Sequence, residues 1–218
     1  MKGLLKKDMN LLGGQKYYII CLAVISVLLV FSARNTAYVG SYVTVLGSFL
    51  VLATISYDEV NRGFSFLFTM PVTRQMYVTS KYLLGALVSI AGWTYSLIIT
   101  GGALAVGRLQ MDVREWMWSC LMYLGIGLLF DAVMIPIQIR FGTDKGRIIL
   151  LLVTMLCLFL GMGLSNLLQQ MNVDLQGPVS FLTSLSPAEL TVGFWILVAV
   201  LTALSYGLSV RMMKRKEF

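Results

Sequence analysis

Asp131 stands inside an apolar run at 113–139, which makes it the side chain best placed for chemistry in this sequence. A carboxylate at membrane depth costs roughly 2.5–3.5 kcal/mol on insertion scales unless it faces protein or water. It either lines a pathway for cationic amphipathic cargo or is protonated and hydrogen-bonded to another helix, and a purely structural role fits equally well. Asp58 is the second carboxylate that an intramembrane aspartyl protease or a lipid-modifying transferase would need. It falls at the edge of an apolar run, however, and no His-Glu-x-x-His or other catalytic spacing accompanies the pair. The chain has no histidine, which removes the commonest general base near neutral pH and the commonest metal ligand. Its 3 cysteines, Cys21, Cys120 and Cys157, lie within apolar runs without metal-ligand spacing and read as packing residues. No Gly-x-x-x-x-Gly-Lys-Ser/Thr loop is present to cradle phosphates, so no enzyme activity and no directly bound cofactor are expected.

The elements that must position these groups are six apolar stretches, near 17–33, 36–57, 82–106, 113–139, 148–168 and 187–210. Each approaches the roughly 20 residues needed to cross about 30 Å of hydrocarbon. The expected fold is therefore all-α and integral to the membrane, with six transmembrane helices in a single membrane domain over 1–218. If the N-terminus lies in the cytosol, all but Arg34, Arg108 and Arg114 of the 17 basic residues fall on the inner side. That bias predicts a multi-pass protein of the plasma membrane with both termini cytosolic. The first stretch lacks a small-residue cleavage pattern and reads as a retained helix. The net charge of +7 is spread over short juxtamembrane segments, which suits topology and anionic lipid; no nucleic-acid partner is expected.

Two segments outside the spans have helical periodicity. Leu4, Leu5, Met9 and Leu12 form a stripe in 1–15 with Lys2, Lys6 and Lys7 largely off it, the pattern of a helix lying in the headgroup plane, ended by Gly13 and Gly14. It serves either as a lever into the first span or as a plain anchor. In 58–81, Val60, Phe64, Leu67 and Phe68 share a face, with Asp58, Glu59 and Arg62 off it. Pro71 must interrupt this helix, and Thr73 can cap a new one running through Arg74, Tyr77 and Lys81 into the third span. Such a segment docks in a groove of a cytosolic partner or rests on the bilayer, and periodicity does not choose between them.

Resemblance does. Asp58-Glu59-Val60-Asn61-Arg62-Gly63, then Leu67-Phe68-Thr69-Met70-Pro71-Val72-Thr73-Arg74 and Tyr77-Val78-Thr79-Ser80-Lys81-Tyr82-Leu83, resembles the signature of small ABC type-2 exporter permeases. Met70 and Thr73 replace that family's usual leucine and serine. Pro136 followed by Arg140-Phe141-Gly142-Thr143-Asp144-Lys145-Gly146-Arg147 is similar to the family's tight cytosolic turn between spans four and five. Within the family, the small size and minimal outer regions look most like permeases of bacterial exporters of amphipathic peptides, such as the phenol-soluble modulin exporter permease. The resemblance implies a half-transporter, paired with a second copy or a paralogue, above two ABC ATP-binding subunits that hold ATP and Mg. It also implies that Asp58, Glu59, Val60, Arg62, Phe64, Leu67, Phe68, Pro71 and Arg74 couple to the ATPase, with Arg140, Gly142, Asp144, Lys145 and Arg147 forming a second turn. A membrane anchor or immunity protein is the competing class.

Other features mark boundaries and packing. Pro136 can kink the inner end of the fourth span. Gly85, Gly92, Gly101, Gly102, Gly125, Gly127, Gly161 and Gly163 permit close helix approach. Asp112-Val113-Arg114-Glu115 and Ser186-Pro187-Ala188-Glu189 fit capping boxes that start spans four and six. The outer loop 169–186 lacks Lys and Arg and is partly apolar, which suits a re-entrant helix or a surface loop alike.

Overall fold

A computed structural model describes residues 2–32, 36–59, 63–67, 69, 72–107, 112–170 and 187–215. Among these, every regular element is helical: α1 (Lys2–Gly14), α2 (Lys16–Ser32), α3 (Thr36–Glu59), α4 (Gly63–Leu67), α5 (Arg74–Ala105), α6 (Val113–Gln170) and α7 (Pro187–Arg215). Among the described residues, four stretches are long and apolar enough to cross a membrane: Val39–Glu59, Arg74–Ala105, Val113–Gly142 and Ala188–Arg215. A fifth is added if α1 and α2, bent by 65° about Gln15, count as one broken span. Six spans were expected. The first expected one is the 17-residue α2, and the fifth falls in the later part of α6, where the side chains of 153–170 lie outside the described residues.

Start and stop signals act where chemistry says they should. The Thr73 hydroxyl accepts a hydrogen bond from the Met76 amide at 3.2 Å, so α5 begins at Arg74 with one of its orphan donors satisfied. α6 begins directly after Asp112 and α7 at Pro187. α6 runs through Pro136 and breaks at Gly142, whose φ of 75° and ψ of −177° suit glycine almost alone. The bend is sharp: a Cβ on Gly146 would lie 3.9 Å from the Cα of Gln138, residues that a straight helix would hold about 12 Å apart. The expected turn between spans four and five is therefore a glycine break within one long helical run rather than an open loop.

α3 is the central helix, packed against α1, α2, α4, α5 and α6, while α7 leans on α5 and α6. α7 turns Val192, Ile196, Val200, Leu204 and Leu208 outward at four-residue spacing, an apolar face that suits lipid or another membrane helix. The principal core gathers at one end: Leu4 and Leu12 of α1, Val51 and Ile55 of α3, Phe64 and Leu67 of α4, Tyr77 and Leu84 of α5, Ile135 and Ile139 of α6, and Met213 of α7. Met9, on the same helix as Leu4 and Leu12, faces outward and is 53% exposed. Of the outer loop expected over 169–186 as re-entrant or surface-lying, residues 169 and 170 continue α6, and 171–186 are outside the described residues.

Candidate functional site

The densely packed end contains an ionic cluster. The Lys81 ammonium, with no exposed surface, lies 2.8 Å from Asp8 Oδ2 and 2.7 Å from Asp58 Oδ2, and donates to Thr54 Oγ1 at 3.1 Å. The Tyr77 hydroxyl donates to the same Asp58 oxygen at 3.1 Å, and Lys7 closes the cluster on Asp58 Oδ1. Asp8 is 1% exposed and occupies the α1 face between Leu4 and Leu12. Helical spacing explains the arrangement: positions 4, 8 and 12 share one stripe, so a carboxylate placed there is carried inward with the leucines. Burial of single charges is expensive, but two carboxylates here are balanced by two ammonium groups, with two hydroxyls taking up part of the hydrogen bonding.

The neighbouring coupling candidates meet at this end. The Glu59 carboxylate lies against Gly142, where a Cβ would overlap it. Gln138 donates to Ser56 Oγ at 3.0 Å. Together these contacts bring the end of α3 onto the break in α6, uniting two segments that the sequence separates by some eighty residues. Arg74 donates to the Met213 carbonyl at 3.3 Å and to that of Lys214, so it caps the end of α7. Phe64 and Leu67 point into the core, with Phe64 edge-on to Tyr77 at 5.5 Å between ring centroids. Gly63 is needed where α4 folds back, because a Cβ there would meet the Asp58 carbonyl at 2.5 Å. The outward surface is supplied instead by Tyr57, Thr69, Arg140 and Phe141, with Arg140 over the Phe141 ring at 5.3 Å. Val60, Arg62, Phe68 and Pro71 lie outside the described residues, as do the side chains of Asp144, Lys145 and Arg147.

Asp131 is elsewhere. It is 4% exposed and accepts from Ser89 at 3.1 Å, with Ser48 a second hydroxyl partner, while its Oδ1 has no hydrogen bond among the described residues. Gly85 makes room for it: a Cβ there would stand 2.9 Å from Oδ2. Asp58 lies ten residues beyond Ser48 on α3, about 15 Å along the axis, so Asp58 and Asp131 cannot form a carboxylate dyad. Among the described residues no group of three or more His, Cys, Asp or Glu could hold a metal ion.

A family model described as ABC-2 family transporter protein matches residues 3–214. The chain belongs to this family. Its members are membrane components of ABC transporters, generally not catalytic themselves, and work with ABC ATP-binding partners. No curated protein matches the chain. Nothing in the sequence pairs Asp8 with Lys7 or Lys81: the lysines read there as orientation charges, with Lys81 also part of the Ser80-Lys81-Tyr82 motif and of the helix that enters the third span. The signal that could have found them is Asp8 on the Leu4–Leu12 stripe, an acidic residue on an apolar face that requires a buried cation.

Proposed function

We propose that the chain is the transmembrane subunit of an ATP-driven exporter in the plasma membrane, with six spans and both termini cytosolic. Two permease chains, identical or paralogous, enclose the pathway above two ATP-binding subunits. Nucleotide-driven closure of those subunits pulls on the 58–81 segment and switches access to the pathway. Amphipathic peptides or other hydrophobic compounds are the proposed cargo, in keeping with the resemblance to small peptide exporters. The observation that carries the reading is the contact of Glu59 with Gly142, which brings the end of α3 onto the α6 break beside the exposed Tyr57, Arg140 and Phe141.

Because Phe64 and Leu67 are core residues, charging them tests the fold; the exposed residues test docking. Co-purification of the chain with the ATP-binding protein encoded beside it should yield a complex that hydrolyses ATP. Arg140→Glu combined with Tyr57→Asp should cut recovery of that complex at least tenfold while the permease still elutes as a monodisperse species. An undiminished complex would overturn this docking surface, and failure of the intact pair to associate would favour the anchor reading.

A further inference from the structure

We infer that Lys81 is a positioning residue that makes α1 and the end of α3 move as one body, so that displacement of the 58–81 segment is delivered through α1 to the first span. The inference rests on the coupling reading above and deepens it.

The three residues come from three helices that are far apart in sequence, and one ammonium group serves both carboxylates. Apolar side chains of α1, such as Leu4 and Leu12, could slide over their neighbours with small loss, since dispersion has little directionality. A buried carboxylate cannot. Asp8 Oδ1 has no hydrogen bond among the described residues, and its second cation, Lys7 at 3.6 Å, is on its own helix. A shift of α1 relative to α5 therefore costs Asp8 its shorter, fully buried ion pair and leaves it only the longer one to the partly exposed Lys7. Lys7 on Asp58 gives a second link in the same sense, this time directly from α1 to α3. Motion of the three helix ends together costs nothing electrostatically; motion of one against the others does.

Beyond the cluster, α1 leads through the 65° bend at Gln15 into α2. α2 is the loosest of the long helices, exposing Tyr17, Ile20, Val24 and Leu28, and is tied inward by polar contacts such as Tyr18 to the Leu46 carbonyl at 2.8 Å and Tyr95 to the Ala23 carbonyl at 3.0 Å. A helix clamped at its base and lightly held along its length is suited to swing when its base moves.

The test uses the complex with the ATP-binding subunit, in a chain whose cysteines are replaced by alanine and whose Lys7 is replaced by methionine to remove the direct link to Asp58, carrying one environment-sensitive label at either of two exposed positions. Thr69→Cys reports on the 58–81 segment and Met9→Cys on α1. With Lys81 intact, ATP plus vanadate should change the signal at both positions. With Lys81→Met, the response at 69 should persist and that at 9 should fall at least fivefold. Where Lys81→Met does not assemble, Asp8→Asn, which leaves the Lys81–Asp58 pair, should show the same selective loss. A response at 9 that survives both substitutions, or that is absent with Asp8 and Lys81 intact while 69 responds, overturns the inference and leaves the coupling reading standing. Silence at both positions overturns the two together.

Discussion

Asp8 and Asp58 share a lysine that has no exposed surface, whereas Asp131, buried as deeply, is met among the described residues by serine hydroxyls and by the room that Gly85 leaves. The first arrangement pairs its carboxylates with a shared ammonium group, and it holds helices from three parts of the chain in a fixed relation. The second carries a carboxylate that no cation among the described residues pairs with, where hydroxyls of α3 and α5 converge on α6. A shared cation ties helices together and makes each member depend on the others. A carboxylate held by neutral donors makes a local contact whose loss the neighbouring hydroxyls can absorb. The cluster is accordingly a mechanical joint, and Asp131 a local contact within the helix bundle.

The widest separation between the two sites should appear on removing charge. Lys81→Met strands two buried carboxylates with only Lys7 to serve them, and should destabilise the purified protein by about 3–5 kcal/mol. A thermal unfolding scan in detergent, followed by monodispersity, reads this as a large fall in midpoint or as loss of folded material. Gly142→Ala acts at the seam between the joint and the α6 break. It forces a side chain into φ 75° and against the Glu59 carboxylate, for an expected cost of about 1–3 kcal/mol in the same scan. Thr73→Ala removes the α5 cap next to the joint and should cost about 1 kcal/mol. Asp131→Asn keeps the shape, leaves an amide oxygen to accept from Ser89 and removes a buried acid faced by hydroxyls, so its effect should stay within about 1 kcal/mol. If Asp131→Asn proved as damaging as Lys81→Met, the contrast between joint and local contact would collapse.

Much of the architecture could be read from the chain. Apolar runs located the long helices, Thr73 marked the start of α5, Pro187 that of α7, and Gly13–Gly14 the end of α1. These signals are local, arising from backbone donors without partners and from side-chain periodicity. The functional segments were legible as segments but not in their facing. Phe64 and Leu67 share an amphipathic stripe, which could equally meet an external groove, the bilayer or the chain's own core; in the structure they meet Tyr77 and the α1 leucines. Arg74 belonged to the same motif and turns instead to the carbonyls at the end of α7.

By itself the sequence determined that this is a helical membrane protein of the ABC-2 type, because span length, charge bias and loop motifs are written along the chain and depend on no distant contact. Only the tertiary structure decided that Asp8, Asp58 and Lys81 form one buried cluster and that Glu59 lies on Gly142. Those pairings join positions up to about eighty residues apart, and their strength comes from exclusion of water by neighbouring helices, a property no local stretch of sequence possesses.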